Sequence, residues 1–173
     1  ELVLSVRAGT PMAEIEAALA DGGQQLGFEP PDLGPPPGRP AGAGTIGRVV
    51  ARNLSGPRRV KAGAARDHFL GFQAVNGRGE AFKSGGKVVK NVTGFDLSKL
   101  IAGSFGTLAV MTEVTFKVLP APEKTRTVLV LGLSDQDAMK AMAKALGSSH
   151  EVSGAAHLPE AAAKGSKVSH VAG

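Results

Sequence analysis

The stretch Gly85 to Val118 reads GGKVVKNVTGFDLSKLIAGSFGTLAVMTEVTFKV, and its grammar decides the fold. It sets a short helix between two glycine-bounded loops and then runs into a β-branched strand. Asp96 to Ala102 is expected to form that helix, with Leu97, Leu100 and Ile101 on its apolar side and Gly103 as its stop. The turn Ser104-Phe105-Gly106-Thr107 then feeds a strand from Leu108 to Lys117. Glycine at 103 and 106 lets backbone approach a ligand where a Cβ would collide. These are the parts of a ligand cradle.

Upstream, Leu2 to Arg7 reads as a strand, and Thr10 is placed to cap a helix whose first position is Pro11. Ile15, Ala18 and Leu19 form the apolar side of that helix, Gly22-Gly23 ends it, and Gln24 to Phe28 is a short extended piece. The proline-rich segment EPPDLGPPPGRP, Glu29 to Pro40, is either a rigid surface loop or a polyproline spacer. Thr45 can cap a second helix with Ile46, Val49 and Val50 facing inward. Leu70 to Val75 and Glu80 to Lys83 flank Asn76-Gly77-Arg78-Gly79, and the Asn-Gly pair predicts a β-hairpin.

Downstream, the prolines of Leu119-Pro120-Ala121-Pro122 mark a boundary. Beyond them a βαβ unit is expected. Its strands would be Thr127 to Leu133 and Val152 to Leu158, around a helix that opens on Ser134 and Asp137 and ends near Leu146.

Composition narrows the functional classes. The 173 residues are 42% hydrophobic and 20% charged, which is ordinary for a soluble globular protein. Trp and Tyr are absent and aromatics total 4%, so the core is expected to rest on Val, Leu, Ile and Ala. With no Cys, this chain can supply neither a disulfide, nor thiolates for an iron-sulfur cluster, nor a cysteinyl-flavin bond. No apolar run reaches the ~18 residues of a membrane span, and a cytoplasmic location is expected. The net charge of +5 suits an anionic cofactor, an acidic partner or a solvated surface.

Gly42-Ala43-Gly44-Thr45-Ile46-Gly47 fits G-x-G-x-x-G, yet LGPPPGRPA precedes it in place of the buried strand that a dinucleotide fingerprint needs. As backbone, such a turn can present unpaired helix N-terminal N–H groups to a phosphate, or it can be a close-packed entry into a core helix. Arg58, Arg59, Lys61 and Arg66 form a basic cluster that reads as a solvated face or a subunit contact. Nucleic-acid binding would call for interleaved stacking aromatics, and Phe69 and Phe72 are the only candidates, so no nucleic-acid partner is expected. The histidines at 68, 150, 157 and 170 show no metal-ligand spacing, and His68 is expected on a surface or loop. Ser55 and Ser104 lack the setting of a hydrolase nucleophile.

The wording KNVTGFDLSKL followed by GSFGTLAV resembles the last flavin-contacting segment of the vanillyl-alcohol-oxidase or p-cresol-methylhydroxylase (PCMH) type of FAD-binding domain. GQQLGFEPP (23–31) and GAGTIGRVVARNLSGPRR (42–59) resemble the same family, most closely the smaller FAD-binding subunits of bacterial glycolate oxidases. The resemblance implies an α+β fold, in which residues 1–120 are the second subdomain of a PCMH-type FAD-binding domain and 121–173 begin a ferredoxin-like cap. The abrupt start at Glu1 and the strand-like close imply a product truncated at both ends, without the phosphate-loop subdomain.

Carried over residue by residue, the resemblance assigns FAD contacts to Pro30, to Thr45, Ile46 and Gly47, to Asn53, Ser55 and Gly56, and to Gly106, Thr107 and Val110. Arg48 stands where the family has a second glycine, either adding a cationic contact or blocking close approach, and Ala109 replaces another glycine. The implied chemistry is oxidation of a small 2-hydroxy acid such as glycolate, with hydride passing from its α-carbon to the flavin. No catalytic residue is assigned in this chain. The implied partners are a larger homologous FAD subunit and an iron-sulfur subunit, with any membrane association made through that complex. The alternatives are an assembly subunit that has lost flavin binding and a basic nucleic-acid-binding module.

Overall fold

The computed structural model describes residues 2–31, 44–87 and 94–166. The chain forms two compact units, Glu1–Pro122 and Glu123–Gly173. The proline-rich loop from 32 onward, Gly42-Ala43, the segment 88–93 and His170 lie outside the described residues.

The first unit is built on one long strand. In chain order it holds β1 (Val3–Arg7), α1 (Met12–Asp21), β2 (Gln24–Leu26), α2 (Ile46–Arg52), α3 (Arg59–Ala62), α4 (Ala65–His68), β3 (Phe69–Asn76), β4 (Ala81–Gly85), α5 (Leu97–Ile101) and β5 (Ala109–Pro120). The sheet order is β1-β5-β3-β4, and β2 pairs with the end of β5. All of these pairings are antiparallel. β5 therefore ladders with β1 through Glu113 to Lys117, with β2 through Val118 to Pro120, and with β3 through Ala109 to Phe116.

The helices close over this sheet because their apolar residues recur at helical spacing. Ile15 and Leu19 of α1, and Ile46, Val49 and Val50 of α2, join Val114, Phe116 and Val118 of β5 in one buried cluster. Phenylalanine, scarce in the sequence, fills the centre. The Phe28 ring lies 5.6 Å from Phe116 and Phe69 lies 5.3 Å from Phe116, centroid to centroid, and both distances suit offset aromatic packing. The rest of the buried cluster is Ala, Val, Leu and Ile, as expected, with Phe28, Phe69, Phe72 and Phe116 added at its centre.

Local expectations hold with small displacements. Thr45 caps α2, its hydroxyl accepting from Arg48 N. Pro11, expected one step inside α1, is itself the N-cap with extended backbone, so Thr10 makes no cap. Asp96 caps α5 by accepting from Lys99 N, and Gly103 follows with φ +85°. The face of α5 differs from expectation. Ile101 is buried and Leu97 packs against the core, but Leu100 is 60% exposed and Ser98 takes the buried place. A five-residue helix presents little more than one turn to the core, and packing rather than hydropathy selects its inner face.

The β3–β4 hairpin is present, with a turn different from the Asn-Gly type I′ form. Asn76 N donates to Glu80 O, Gly79 N donates to Asn76 O, and the left-handed residue is Gly79 at φ +81°. Asn76 instead uses its side chain, whose Oδ1 accepts from the N–H groups of Arg78 and Glu80. This is a three-residue loop closed by glycine.

The second unit holds α6 (Asp135–Leu146) and α7 (Glu160–Lys164). Ser134 caps α6, accepting from Asp137 N, as the capping signal requires. Neither flanking segment is a strand: Thr127 to Leu133 and Val152 to Leu158 form no ladder among the described residues. Val128 is 85% exposed and Val130 is 64% exposed, so this β-prone run is extended without a partner. A ladder needs two edges, and composition supplies only one.

Candidate cofactor site

The C-terminal end of α2 is where the proposed contact segments meet. Asn53 leaves the helix in the left-handed region at φ 52°, directing the chain into Ser55 and Gly56. Glu29 N donates to Ser55 O at 3.1 Å, which brings Glu29-Pro30 alongside. From the other side, Gly103 N donates to Val50 O at 3.0 Å and Phe105 N donates to Ala51 O at 2.8 Å, capping the last carbonyls of α2. The segments 29–30, 53–56 and 103–106 thus share one helix end through backbone hydrogen bonds.

Thr45, Ile46 and Gly47 lie at the other end of this seven-residue helix, about 10 Å away at 1.5 Å per residue. The first-turn N–H groups expected to be unpaired all have partners. Ile46 N donates to Thr10 O, Gly47 N to Ala8 O, Arg48 N to Thr45 Oγ1 and Val49 N to Thr45 O. A Cβ on Gly47 would sit 2.8 Å from Ala8 O, so this glycine serves the close approach of α2 to the end of β1. The close-packed-entry reading describes this backbone.

Asn53 and Ser55 are braces as well as candidates. Asn53 Oδ1 accepts from Arg66 N at 2.9 Å. Ser55 Oγ accepts from Ala65 N and donates to Asn53 O, each at 2.9 Å. Both side chains satisfy N–H groups in the first turn of α4, where Asp67 also accepts from Ala64 N. The short helix in turn holds His68, which is buried at 8% exposure and hydrogen-bonded through Nε2 to Ala62 O. The expected surface position of His68 is corrected: it sits on a helix, packed under Gly27 and beside the Phe28 ring. Of the basic cluster, Arg59, Lys61 and Arg66 are exposed, whereas the Arg58 side chain is only 21% exposed.

The loop 103–107 has the features of a cradle with room left in it. Phe105 and Gly106 are both left-handed, at φ 56° and 79°. Nothing lies within 4 Å of a Cβ built on Gly106. Ser104 Oγ is buried and makes no hydrogen bond among the described residues, whereas Thr107 Oγ1 donates to Ser104 O at 2.6 Å. An open glycine and an orphaned hydroxyl fit a group that brings its own polar atoms. Val110, 67% exposed at the start of β5, lies beyond this loop. Pro30 lines a separate cleft of about 340 Å³ with Glu16, Leu19, Phe28, Glu29 and Arg58.

Two side-chain arrangements escaped the sequence. His157 Nε2 lies 2.7 Å from Asp135 Oδ1 within the second unit, a pairing that no motif signals across 22 positions. Arg58 was visible only as one member of a charge run. Among the described residues no group of His, Cys, Asp and Glu could hold a metal ion, and no helix is long and apolar enough to cross a membrane.

Several known proteins are similar to this chain. Residues 1–85 match the family model described as FAD binding domain. Glycolate oxidase subunit GlcE of Escherichia coli (strain K12) is 44% identical over 144 residues, 83% of this chain and 39% of that protein. Glycolate oxidase subunit GlcD of Bacillus subtilis (strain 168) is 41% identical over 87 residues, 50% of this chain and 18% of that protein. Among solved structures, an alkyldihydroxyacetonephosphate synthase superposes with a TM-score of 0.56 at 27% identity, covering 72% of this chain and 20% of that one. The chain thus spans well under half the length of these relatives. Residues 1–85 are thus similar to the FAD binding domain family, and the cofactor which that similarity indicates is FAD.

Proposed function

We propose that this chain is part of the FAD-binding domain of a glycolate-oxidase-type subunit, holding FAD for electron transfer during oxidation of a small 2-hydroxy acid. The convergence of Glu29-Pro30, Asn53–Gly56 and Gly103–Gly106 on one end of α2 carries the reading. Bound FAD supplies the redox chemistry, and the protein binds and orients it. Gly106 offers backbone approach and Ser104 an unused hydroxyl, Thr107 and Val110 follow in the same segment, and Pro30 reaches the cofactor from the neighbouring cleft. Thr45, Ile46 and Gly47 serve at the far end of α2. In this reading residues 1–120 belong to the PCMH-type domain and 121–173 open a ferredoxin-like cap.

These 173 residues hold no Cys to ligate an iron-sulfur cluster, and the likeness to glycolate oxidase subunits supports assembly with a larger homologous FAD subunit and an iron-sulfur subunit. A second reading, an assembly subunit without flavin, is favoured by the engagement of Asn53 Oδ1 and Ser55 Oγ with backbone. One experiment separates them. The whole polypeptide, as its gene encodes it, is incubated with FAD, freed of unbound flavin and read for visible flavin absorbance. Retained flavin that is lost in a folded Gly106→Val variant supports the first reading. A folded protein without flavin establishes the second.

A further inference from the structure

The cleft beside Pro30 holds a cation whose hydrogen bonding is incomplete. Arg58 follows directly on the Gly56-Pro57 turn and lines the cleft with its side chain 21% exposed. Its Nε is sealed from solvent and makes no hydrogen bond among the described residues. Its one ion partner there is Glu29, at 3.6 Å from Nη1, beyond hydrogen-bonding distance. A guanidinium carries several N–H donors in a fixed fork, and a largely desolvated one is ordinarily matched by acceptors. Here one donor, Nε, is buried without an acceptor among the described residues, and the ion pair with Glu29 is a loose one.

The remaining lining states what would complete it. Leu19, Leu26 and Phe28 are buried and apolar, and a volume of about 340 Å³ lies at the small end of ligand clefts. The charged lining residues are Glu16, Glu29 and Arg58, two carboxylates against one guanidinium. This balance disfavours a phosphate dianion more strongly than a monoanion. It admits a single carboxylate on a short apolar body, which sets its oxygens on the guanidinium fork and its carbons on the leucines and Phe28.

We infer that Arg58 and this cleft form a binding site for a small aliphatic monocarboxylate, with Glu29 as the internal competitor that the ligand displaces. The cleft shares Glu29-Pro30 with the flavin reading but takes no contact from the 103–107 loop, so loss of carboxylate binding and loss of flavin are separate outcomes.

The test uses the whole polypeptide labelled with ¹⁵N-arginine, with the Arg58 Nε–H signal assigned by its loss in Arg58→Lys. Sodium butyrate is the probe and inorganic phosphate at matched ionic strength the control. Butyrate is expected to move the signal saturably and phosphate to leave it in place. Glu29→Gln, which removes the competitor, is expected to tighten butyrate binding by about threefold or more. Calorimetry on Arg58→Met is expected to lose the binding that wild type shows. A signal indifferent to butyrate, an equal response to phosphate, or an affinity unchanged by Glu29→Gln would each overturn the site.

Discussion

Gly56 lies directly against the Glu29 carbonyl, so a Cβ at position 56 would overlap that oxygen. Its φ of +67° adds a second reason for glycine. Gly56→Ala should therefore destabilise the protein by roughly 3 kcal/mol, from left-handed strain together with displacement of the 29–30 segment. Gly106→Ala, at φ +79° with open space around it, should cost only about 1 kcal/mol. Urea midpoints of the two variants measure the difference, and equal losses would contradict the packing described.

Ser55 is 4% exposed and supplies both an acceptor and a donor to backbone. Ser55→Ala leaves the buried Ala65 N–H without its partner, for an expected loss of roughly 2 kcal/mol. A thermal melt of the cofactor-free protein reads this directly. No change there would mean that the hydroxyl serves a ligand alone.

Ser98 presents the opposite case. It is 1% exposed, and its hydroxyl has no partner among the described residues. Ser98→Ala removes an orphaned polar atom and introduces a better helix former, so stability should rise by about 1 kcal/mol. A falling denaturation midpoint would show that the hydroxyl is satisfied.

In the β3–β4 hairpin the two glycines are not equivalent. Gly77→Ala should be neutral within about 0.5 kcal/mol, and Gly79→Ala should cost about 1 kcal/mol because only Gly79 is left-handed. The reverse order in chemical denaturation would restore the type I′ turn that the Asn-Gly pair suggests.

Phe105 holds a left-handed backbone while 69% exposed, so little burial offsets its strain. Asn tolerates that region better, and Phe105→Asn should raise stability by about 0.5 kcal/mol. A loss well beyond this, measured by urea unfolding, would reveal a contact made by the phenyl ring.

The elements of the first unit were legible because their signals are local. The Thr45 and Asp96 caps, Gly103 and the alternating apolar residues of β5 each act within a few positions. The inner face of α5 was not legible, since Ser98 is buried by tertiary packing that overrides hydropathy. The β-propensity of Thr127 to Leu133 misled for a related reason, because propensity describes a segment and a strand requires a neighbour. At the candidate site, glycine positions could be read but their reasons could not. Gly47 and Gly56 admit other parts of the chain, Ala8 and Glu29, and Gly106 alone of these three has space beside it. That distinction depends on contacts across tens of residues, and no short motif encodes it.

β5 is the last strand of its sheet to be synthesised, yet β1, β2 and β3 all pair with it. Ser5 and Thr115, hydrogen-bonded across the β1–β5 ladder, stand 110 positions apart. At translation speeds of about 5–20 residues per second, the opening strand waits on the order of ten seconds outside the ribosome before its partner emerges. Such high contact order makes folding slow, and the interval leaves β-prone segments free to pair with neighbouring nascent chains. Soluble yield in recombinant hosts will therefore respond to growth temperature and chaperone supply more than to changes at the surface.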